Sequence, residues 1–505
     1  MSPMIPGPHE LVEPPGAPPR LQEGRAEAPS LAAHLRFRKA TVLTVTIAAS
    51  IAAYWLTREV VGEMAARTLS IIIIAAACWA TEVLPLFATA FVVVGLEILA
   101  LASDGGLAEE LTGLLGLFDI GVRRDATVPP MRAAMFLEPL ANDIIILFLG
   151  AFLLVAAVRK HGIDDRLATR ILRPFARSPL RLIYGVLGVT ATFSMWMSNT
   201  ATTAMMLAVV GPTVRRVPKQ SPFRLAILLA VPFGANIGGI GTPIGTPPNA
   251  IAYGVLNQAG YTVTFLTWML VAVPLAAILL VAAGALLYLM FRPAEPIDLR
   301  PADGVAPALE IAGRATLVVL TMTVGLWMFS GWHGLQPGAV ALLAAAALTG
   351  VGVLDRDDVD SIDWNILILM WGALSLSVAA EHSGLLAQVR RTDLTGLPGG
   401  LWTVGLVVAV AAAGLSTVMS NTATAALLVP TALALSLPGR EQFAMLAALA
   451  CSFGMALPVS TPPNAIAYAT GTIPLKAMVH AGGLMSLVCL ILTLLGYRLA
   501  LPLLF

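Results

Sequence analysis

Charge is scarce in this chain. Asp, Glu, Lys and Arg make up 12% of its 505 residues, about half the share of an ordinary soluble domain. With 58% hydrophobic residues and a mean hydropathy of +0.85, the composition is that of an all-α polytopic membrane protein. The few charges balance to a net +1, so neither nucleic acid nor a polyanionic partner is indicated. Cysteine is nearly missing: Cys78, Cys451 and Cys489 all lie in apolar stretches. That excludes a disulfide framework and leaves them as small core residues. A signal peptide is lacking too. Residues 1–39 are rich in Pro, Glu and Arg and carry no long apolar run, which reads as a disordered cytoplasmic tail. Arg36, Arg38 and Lys39 stand directly before the first apolar segment and favour a cytoplasmic N-terminus.

Long apolar runs are what the chain has instead. A span needs about 20 apolar residues. Full spans are expected near 40–57, 65–84, 86–102, 141–158, 264–291, 314–332, 336–354, 364–381 and 477–504, with interrupted ones at 222–258 and 441–475. That is about eleven spans. Two regions, 179–216 and 399–437, read instead as pairs of short helices meeting at a polar tip. Arginines and lysines flank the first on both sides (Arg173, Arg177 and Arg181 before, Arg215, Arg216 and Lys219 after). A re-entrant hairpin that enters and leaves on the cytoplasmic side satisfies both flanks. The acidic stretch 355–363 should also be cytoplasmic on this count, against its sign. Asn142-Asp143 reads as a helix N-terminus, Glu82 as a cap or scaffold ion pair, and His161 and His382 as exposed residues after spans.

Two motifs occur twice. Ser-Asn-Thr-Ala-Thr stands at Ser198–Thr202 and Ser420–Thr424, and Thr-Pro-Pro-Asn-Ala-Ile-Ala-Tyr at Thr246–Tyr253 and Thr461–Tyr468. Gly150 and Gly372, Gly162 and Gly384, and Ser198 and Ser420 are each 222 residues apart. A constant offset marks an internal duplication. An odd number of spans between equivalent elements inverts the second copy, the inverted-repeat architecture of many secondary transporters.

The doubled motifs carry chemistry suited to ions. Pro247-Pro248 and Pro462-Pro463 must break their helices. Broken ends expose carbonyls, which suit a small hard cation, and N–H groups with a positive dipole end, which suit an anion. Ser198, Asn199, Thr200, Ser420, Asn421 and Thr422 add hydroxyls and amides that can ligate a cation or donate to a carboxylate. No charged residue or His lies between Tyr184 and Pro212 or between Leu401 and Leu437. A dianion there needs co-bound cations, and without a proton carrier Na⁺ is the natural coupling ion. Ser, Thr and Gly also serve as helix-packing residues in membranes. Packing does not account for a costly Asn recurring at constant offset beside a paired helix break. An intramembrane hydrolase using Ser198 or Ser420 would need a base that neither cluster contains. A proton-coupled or arsenite-type transporter would call for intramembrane charges, and a channel for a symmetric pore.

These residues, with the Trp79-Ala80-Thr81-Glu82 segment before Pro85, resemble the divalent anion:sodium symporter family from about Ala65 to the C-terminus. The resemblance implies an elevator-type homodimer in the inner (plasma) membrane, with scaffold and transport domains in each protomer. Scaffold spans would occupy 40–140 and 264–354. The transport halves would be 141–258 and 362–475, and a C-terminal span 477–505. It implies two sodium sites or more. Ser194, Ser198, Asn199 and the Gly245 backbone would form one, and Ser416, the Met419 backbone, Asn421 and the Ser460 backbone another. Substrate carboxylates would meet Asn199, Thr200, Thr246 and Pro247 from one half and Asn421, Thr422, Thr461 and Pro462 from the other. The implied cargo is a C4-dicarboxylate such as succinate, malate or fumarate; sulfate or citrate transport, or exchange without sodium, are the alternatives.

Overall fold

The computed structural model describes residues 28–103, 129–293, 309–390, 398–435 and 437–500. Among them the chain is helical throughout, save turns and an isolated bridge between Ala102 and Met131. Apolar surroundings explain this: a helix satisfies its backbone within one segment, which hydrocarbon demands. Eight helices are long and apolar enough to cross a membrane. Seven coincide with expected full spans, and the eighth, Leu401–Val418, is the first arm of the second hairpin. Leu86–Leu101 and Pro337–Gly350, expected as spans, are shorter apolar helices.

One boundary moves. Residues 1–27 of the expected tail lie outside the described residues, but the first helix runs Ala28–Val61, so the tail drawn to residue 39 ends too late. Ala, Leu, Arg and Lys dominate 31–40, and these strong helix formers carry the helix beyond its apolar segment.

The duplication is visible in the packing. Helix Asp143–Lys160 opens on Asn142, whose side chain accepts from Ile144 N at 3.0 Å. It packs on Pro337–Gly350, while its repeat, Trp364–His382, packs on Leu86–Leu101. Both contacts are closed by the equivalent glycines. A Cβ on Gly150 would lie 2.5 Å from Ala341 Cβ, and one on Gly372 2.6 Å from Ala90 Cβ, the close approach that small residues allow in membranes. Each of these helices ends at a left-handed glycine, Gly162 at φ 57° and Gly384 at φ 79°. A short helix then follows, Ile163–Leu172 or Leu385–Arg390.

Each half next contributes a hairpin and a broken helix. The first hairpin is Pro179–Ser194 and Asn199–Arg216, the second Leu401–Val418 and Asn421–Ala434. The broken helices are Phe223–Gly239 with Pro247–Gln258, and Arg440–Cys451 with Pro462–Ala469. Pro179, Pro247 and Pro462 each stand at a helix start, where no N–H is missed. The halves interlock: Pro247–Gln258 packs on the second hairpin's Asn421–Ala434, and Pro462–Ala469 on the first hairpin's Asn199–Arg216.

The acidic stretch is explained by pairing. Lys160 Nζ lies 2.6 Å from Asp355 and 2.7 Å from Asp358, which places 355–358 beside the basic end of helix Asp143–Lys160. Lys160 holds the Asp355 carboxyl below its ordinary range.

Candidate functional site

The site grows from two hairpin tips. Ser198 N-caps Asn199–Arg216 and accepts from Ala201 N at 3.3 Å; Ser420 caps Asn421–Ala434 and accepts from Ala423 N at 3.2 Å. Their φ/ψ values, −60°/142° and −66°/142°, are nearly the same. Both hydroxyls thus have a local structural task. Each asparagine begins its helix and turns back to a buried serine at the end of the preceding arm. Ser194 Oγ lies 2.6 Å from the Asn199 amide and 2.8 Å from Ala235 O. Ser416 Oγ lies 2.6 Å from Asn421 Oδ1 and also contacts Cys451 O.

These are crowded oxygen clusters. A serine hydroxyl has one proton to give, yet Ser194 and Ser416 each meet two acceptors. At Asn199, an inward amide oxygen would face acceptors alone. With the nitrogen inward it donates to Ser194 Oγ at 2.6 Å and to Ala235 O and Gly245 O at 3.2 Å each, and hydrogen bonding favours that orientation. With the oxygen inward, the same atoms form an uncharged all-oxygen set, the donor chemistry of a small hard cation. The backbone crowds in as well. A Cβ on Gly245 would sit 2.4 Å from Gly239 O and 2.9 Å from Ser194 O; one on Gly239, 2.5 Å from Asn199 Oδ1; one on Gly454, 2.6 Å from Ser416 O. Glycine is required there for close approach, not for φ.

The breaks are held by residues the sequence analysis passed over. Asn249 Nδ2 donates to Gly239 O, Ile240 O and Thr242 O at 3.0, 3.1 and 2.8 Å. Asn464 Nδ2 donates to Met455 O, Leu457 O and Ser460 Oγ at 2.9, 3.1 and 3.2 Å. The fourth residue of each Thr-Pro-Pro-Asn motif therefore satisfies the carbonyls that the break releases; its place in a doubled motif was the available signal. Asn236, also missed, donates to Thr461 Oγ1 at 3.3 Å across the repeat boundary. The Oδ1 atoms of Asn236, Asn249 and Asn464 are buried without a hydrogen-bond partner.

The remaining expected residues occupy the surrounding turns. Thr246 and Thr461 are buried N-caps of the post-break helices, and Pro247 and Pro462 follow them. Thr200 is exposed and Thr422 half-buried. Met419 ends Leu401–Val418 in extended conformation, its N–H donating to Leu415 O at 2.7 Å. Ser460 Oγ donates to Leu457 O at 2.6 Å. The two halves thus present four helix N-termini, at Ser198, Thr246, Ser420 and Thr461, with the partial positive charge that favours an anion. Outside this site, Glu97 is fully buried in Leu86–Leu101 and accepts from Ser375 Oγ. A lone acid inside an apolar run was a readable signal. His161, expected exposed, is half-buried with an unpartnered Nε2, since Gly313 packs against it.

A family model described as "Citrate transporter" matches residues 76–438 and 324–505. The chain belongs to the citrate transporter family. Its relatives are transporters as well. An uncharacterized transporter of Haemophilus influenzae is 34% identical over 71% of this chain and 81% of its own length. A sodium-dependent dicarboxylate transporter, SdcS, of Staphylococcus saprophyticus is 29% identical over 70% and 76%. The sodium-dependent high-affinity dicarboxylate transporter 3 of Caenorhabditis elegans is 28% identical over 70% and 74%. Two solved structures share the fold at low identity: the Alcanivorax borkumensis YdaH transporter (TM-score 0.51, 15% identity, covering 79% of this chain and 89% of that one) and Neisseria gonorrhoeae MtrF (0.52, 12%, 84% and 96%). A member of the citrate transporter family is not an enzyme, and the hydrolase reading falls with it; Ser198 and Ser420, its supposed nucleophiles, are helix caps.

Proposed function

We propose that this protein is a sodium-coupled importer of C4-dicarboxylates, working as a homodimer in the plasma membrane with its N-terminus cytoplasmic. The observation that carries the reading is the repeated serine–asparagine cluster. Ser194 with Asn199 and Ser416 with Asn421 have the same 2.6 Å contact, and each serine also meets one backbone carbonyl, Ala235 O and Cys451 O respectively. Two neutral oxygen cages can each take one Na⁺. Ser194, Ser198, Asn199 and Gly245 are assigned to the first, and Ser416, Met419, Asn421 and Ser460 to the second. The cations would offset a dianion that no side chain in either tip can neutralise. Asn199, Thr200, Thr246 and Pro247, with Asn421, Thr422, Thr461 and Pro462, would hold the two carboxylates through amides, hydroxyls and helix N-termini. The names of the SdcS and C. elegans relatives support both sodium and dicarboxylate. Hairpins re-entering the membrane and elevator-type alternating access belong to the same proposal.

Radiolabelled succinate uptake into proteoliposomes tests it. Uptake that needs an inward Na⁺ gradient is expected. Uptake by counterflow alone, without Na⁺, would make the protein an exchanger and remove the cation cages from the assignment. Transport of citrate or sulfate in place of succinate would overturn the substrate.

A further inference from the structure

We propose that an anionic phospholipid docks between the first hairpin and helix Ile311–Met328, its acyl chain in an apolar cavity and its headgroup at an arginine rim. The cavity, of about 550 Å³, is within the range of small-molecule sites. Four helices wall it, through Leu154 and Val158, Leu167 and Ile171, Gly188 and Val189, and Leu320 and Val324. Its few hydroxyls are already satisfied. Tyr184 donates to Val281 O, Thr192 to Gly188 O and Thr321 to Leu317 O. Those hydroxyl protons are already spent and the rest of the lining is almost entirely apolar, so the cavity suits hydrocarbon.

One end of the cavity is closed and the other is basic. Trp196, from the hairpin tip, stacks on Trp327 at 6.4 Å, and Phe265 on Trp327 at 5.3 Å. That fixes the direction of two walls: Pro179–Ser194 and Ile311–Met328 both run toward the tryptophans, so both begin at the opposite end. Arg181 precedes Tyr184, Gly185 and Gly188 at helical spacing, and Arg314 precedes Leu317 and Thr321 likewise. Arg170 shares a stripe with Ile163 and Leu167 on the amphipathic helix Ile163–Leu172. All three arginines are exposed. None forms an ion pair among the described residues, whereas nearby Lys160 is taken by Asp355 and Asp358. Leu167 and Ile171 stay 36% and 42% exposed beside Arg170. An apolar face bearing arginines, open at its side to the bilayer, is the pattern of an element lying in the headgroup layer.

Brominated phosphatidylglycerol quenches nearby tryptophan, and Trp196 and Trp327 line the cavity. The full-length protein in detergent micelles should show saturable quenching by brominated phosphatidylglycerol, and far weaker quenching by brominated phosphatidylcholine. Arg170→Gln with Arg181→Gln should weaken half-saturation by phosphatidylglycerol on the order of tenfold while leaving the saturated quenching unchanged. Gly188→Leu should abolish the saturable component, since nothing lies within 4 Å of a Cβ there and the new side chain fills the cavity. Equal quenching by both lipids that the arginine pair does not alter would overturn the proposal, reducing the contact to bulk hydrocarbon. Quenching by brominated fatty-acid methyl ester as strong as by phosphatidylglycerol would remove the headgroup from it. A dimer contact covering the cavity would show as quenching that appears only on dissociation, and would also overturn it. Should Gly188→Leu not fold, the arginine pair decides alone. The readout is binding, so failure of the sodium–dicarboxylate reading leaves it untouched.

Discussion

At the residue scale, Ser194–Asn199 and Ser416–Asn421 are distinct from the caps beside them. Asn199→Ala and Asn421→Ala are each expected to reduce succinate uptake to the level of empty vesicles while the protein still elutes as a folded species from size exclusion. Wild-type rates in both would sink the site assignment. Ser198→Ala separates capping from ligation. Loss of the cap costs about 1 kcal/mol and loss of an assigned cage oxygen weakens the first sodium site, so a small fall in melting temperature together with a raised half-saturation for Na⁺ is expected; the fall in melting temperature alone would leave the hydroxyl a cap and remove it from the cage. Gly245→Ala drives a Cβ to 2.4 Å from Gly239 O. Backbone must shift to accommodate it, and uptake should collapse. Asn199 and Asn421 were legible because Asn is costly to bury and occurred twice at one offset. Ser194 and Ser416 came from the resemblance, and only the fold brings each onto its asparagine five residues away.

At the element scale, the broken helices are held by Asn249 and Asn464. Asn249→Leu removes donors from three carbonyls, Gly239 O, Ile240 O and Thr242 O. Leaving buried acceptors unmet should destabilise by about 2–4 kcal/mol, read as a clear drop in melting temperature by thermal unfolding in detergent; a change below 1 °C would show that the break is held by its prolines. The prolines announced that these helices stop. They did not reveal how the freed carbonyls are met, because the donor comes from the far side of the break. Leu86–Leu101 and Pro337–Gly350 show the opposite limit: hydropathy located them, but the apolar run alone did not fix how long the helix within it is.

At the scale of the whole molecule, the halves interlock through Asn236 and Thr461 and through post-break helices that pack on the opposite hairpin. Far from that seam, Lys160 ties helix Asp143–Lys160 to the short helix Arg356–Asp360 through its cap Asp355 and through Asp358. The Asp355 pKa is depressed by Lys160. Its contribution is therefore present above the ordinary Asp value and lost as pH falls through its lowered one. On going from pH 7 to pH 3, the wild type should lose more melting temperature than Lys160→Met; equal losses would show the pair to be without effect. A cysteine placed at position 20 should resist membrane-impermeant labelling in intact cells, and labelling there would reverse the proposed orientation.

Composition and periodicity alone determined that the chain is a helical membrane protein, that it carries an internal duplication, and that each copy holds a neutral, proline-broken polar cluster. Those properties are local or nearly so: hydrophobicity, helix breaking, and residues repeated at constant spacing. Tertiary structure decided which oxygens meet. It set Ser194 and Ser416 against their asparagines, Asn249 and Asn464 across the breaks, and Gly150 and Gly372 against Ala341 and Ala90. It also set exposed arginines on three of the helices that wall an apolar cavity. Each of these depends on how two separate segments approach, and no pattern along one segment encodes that distance.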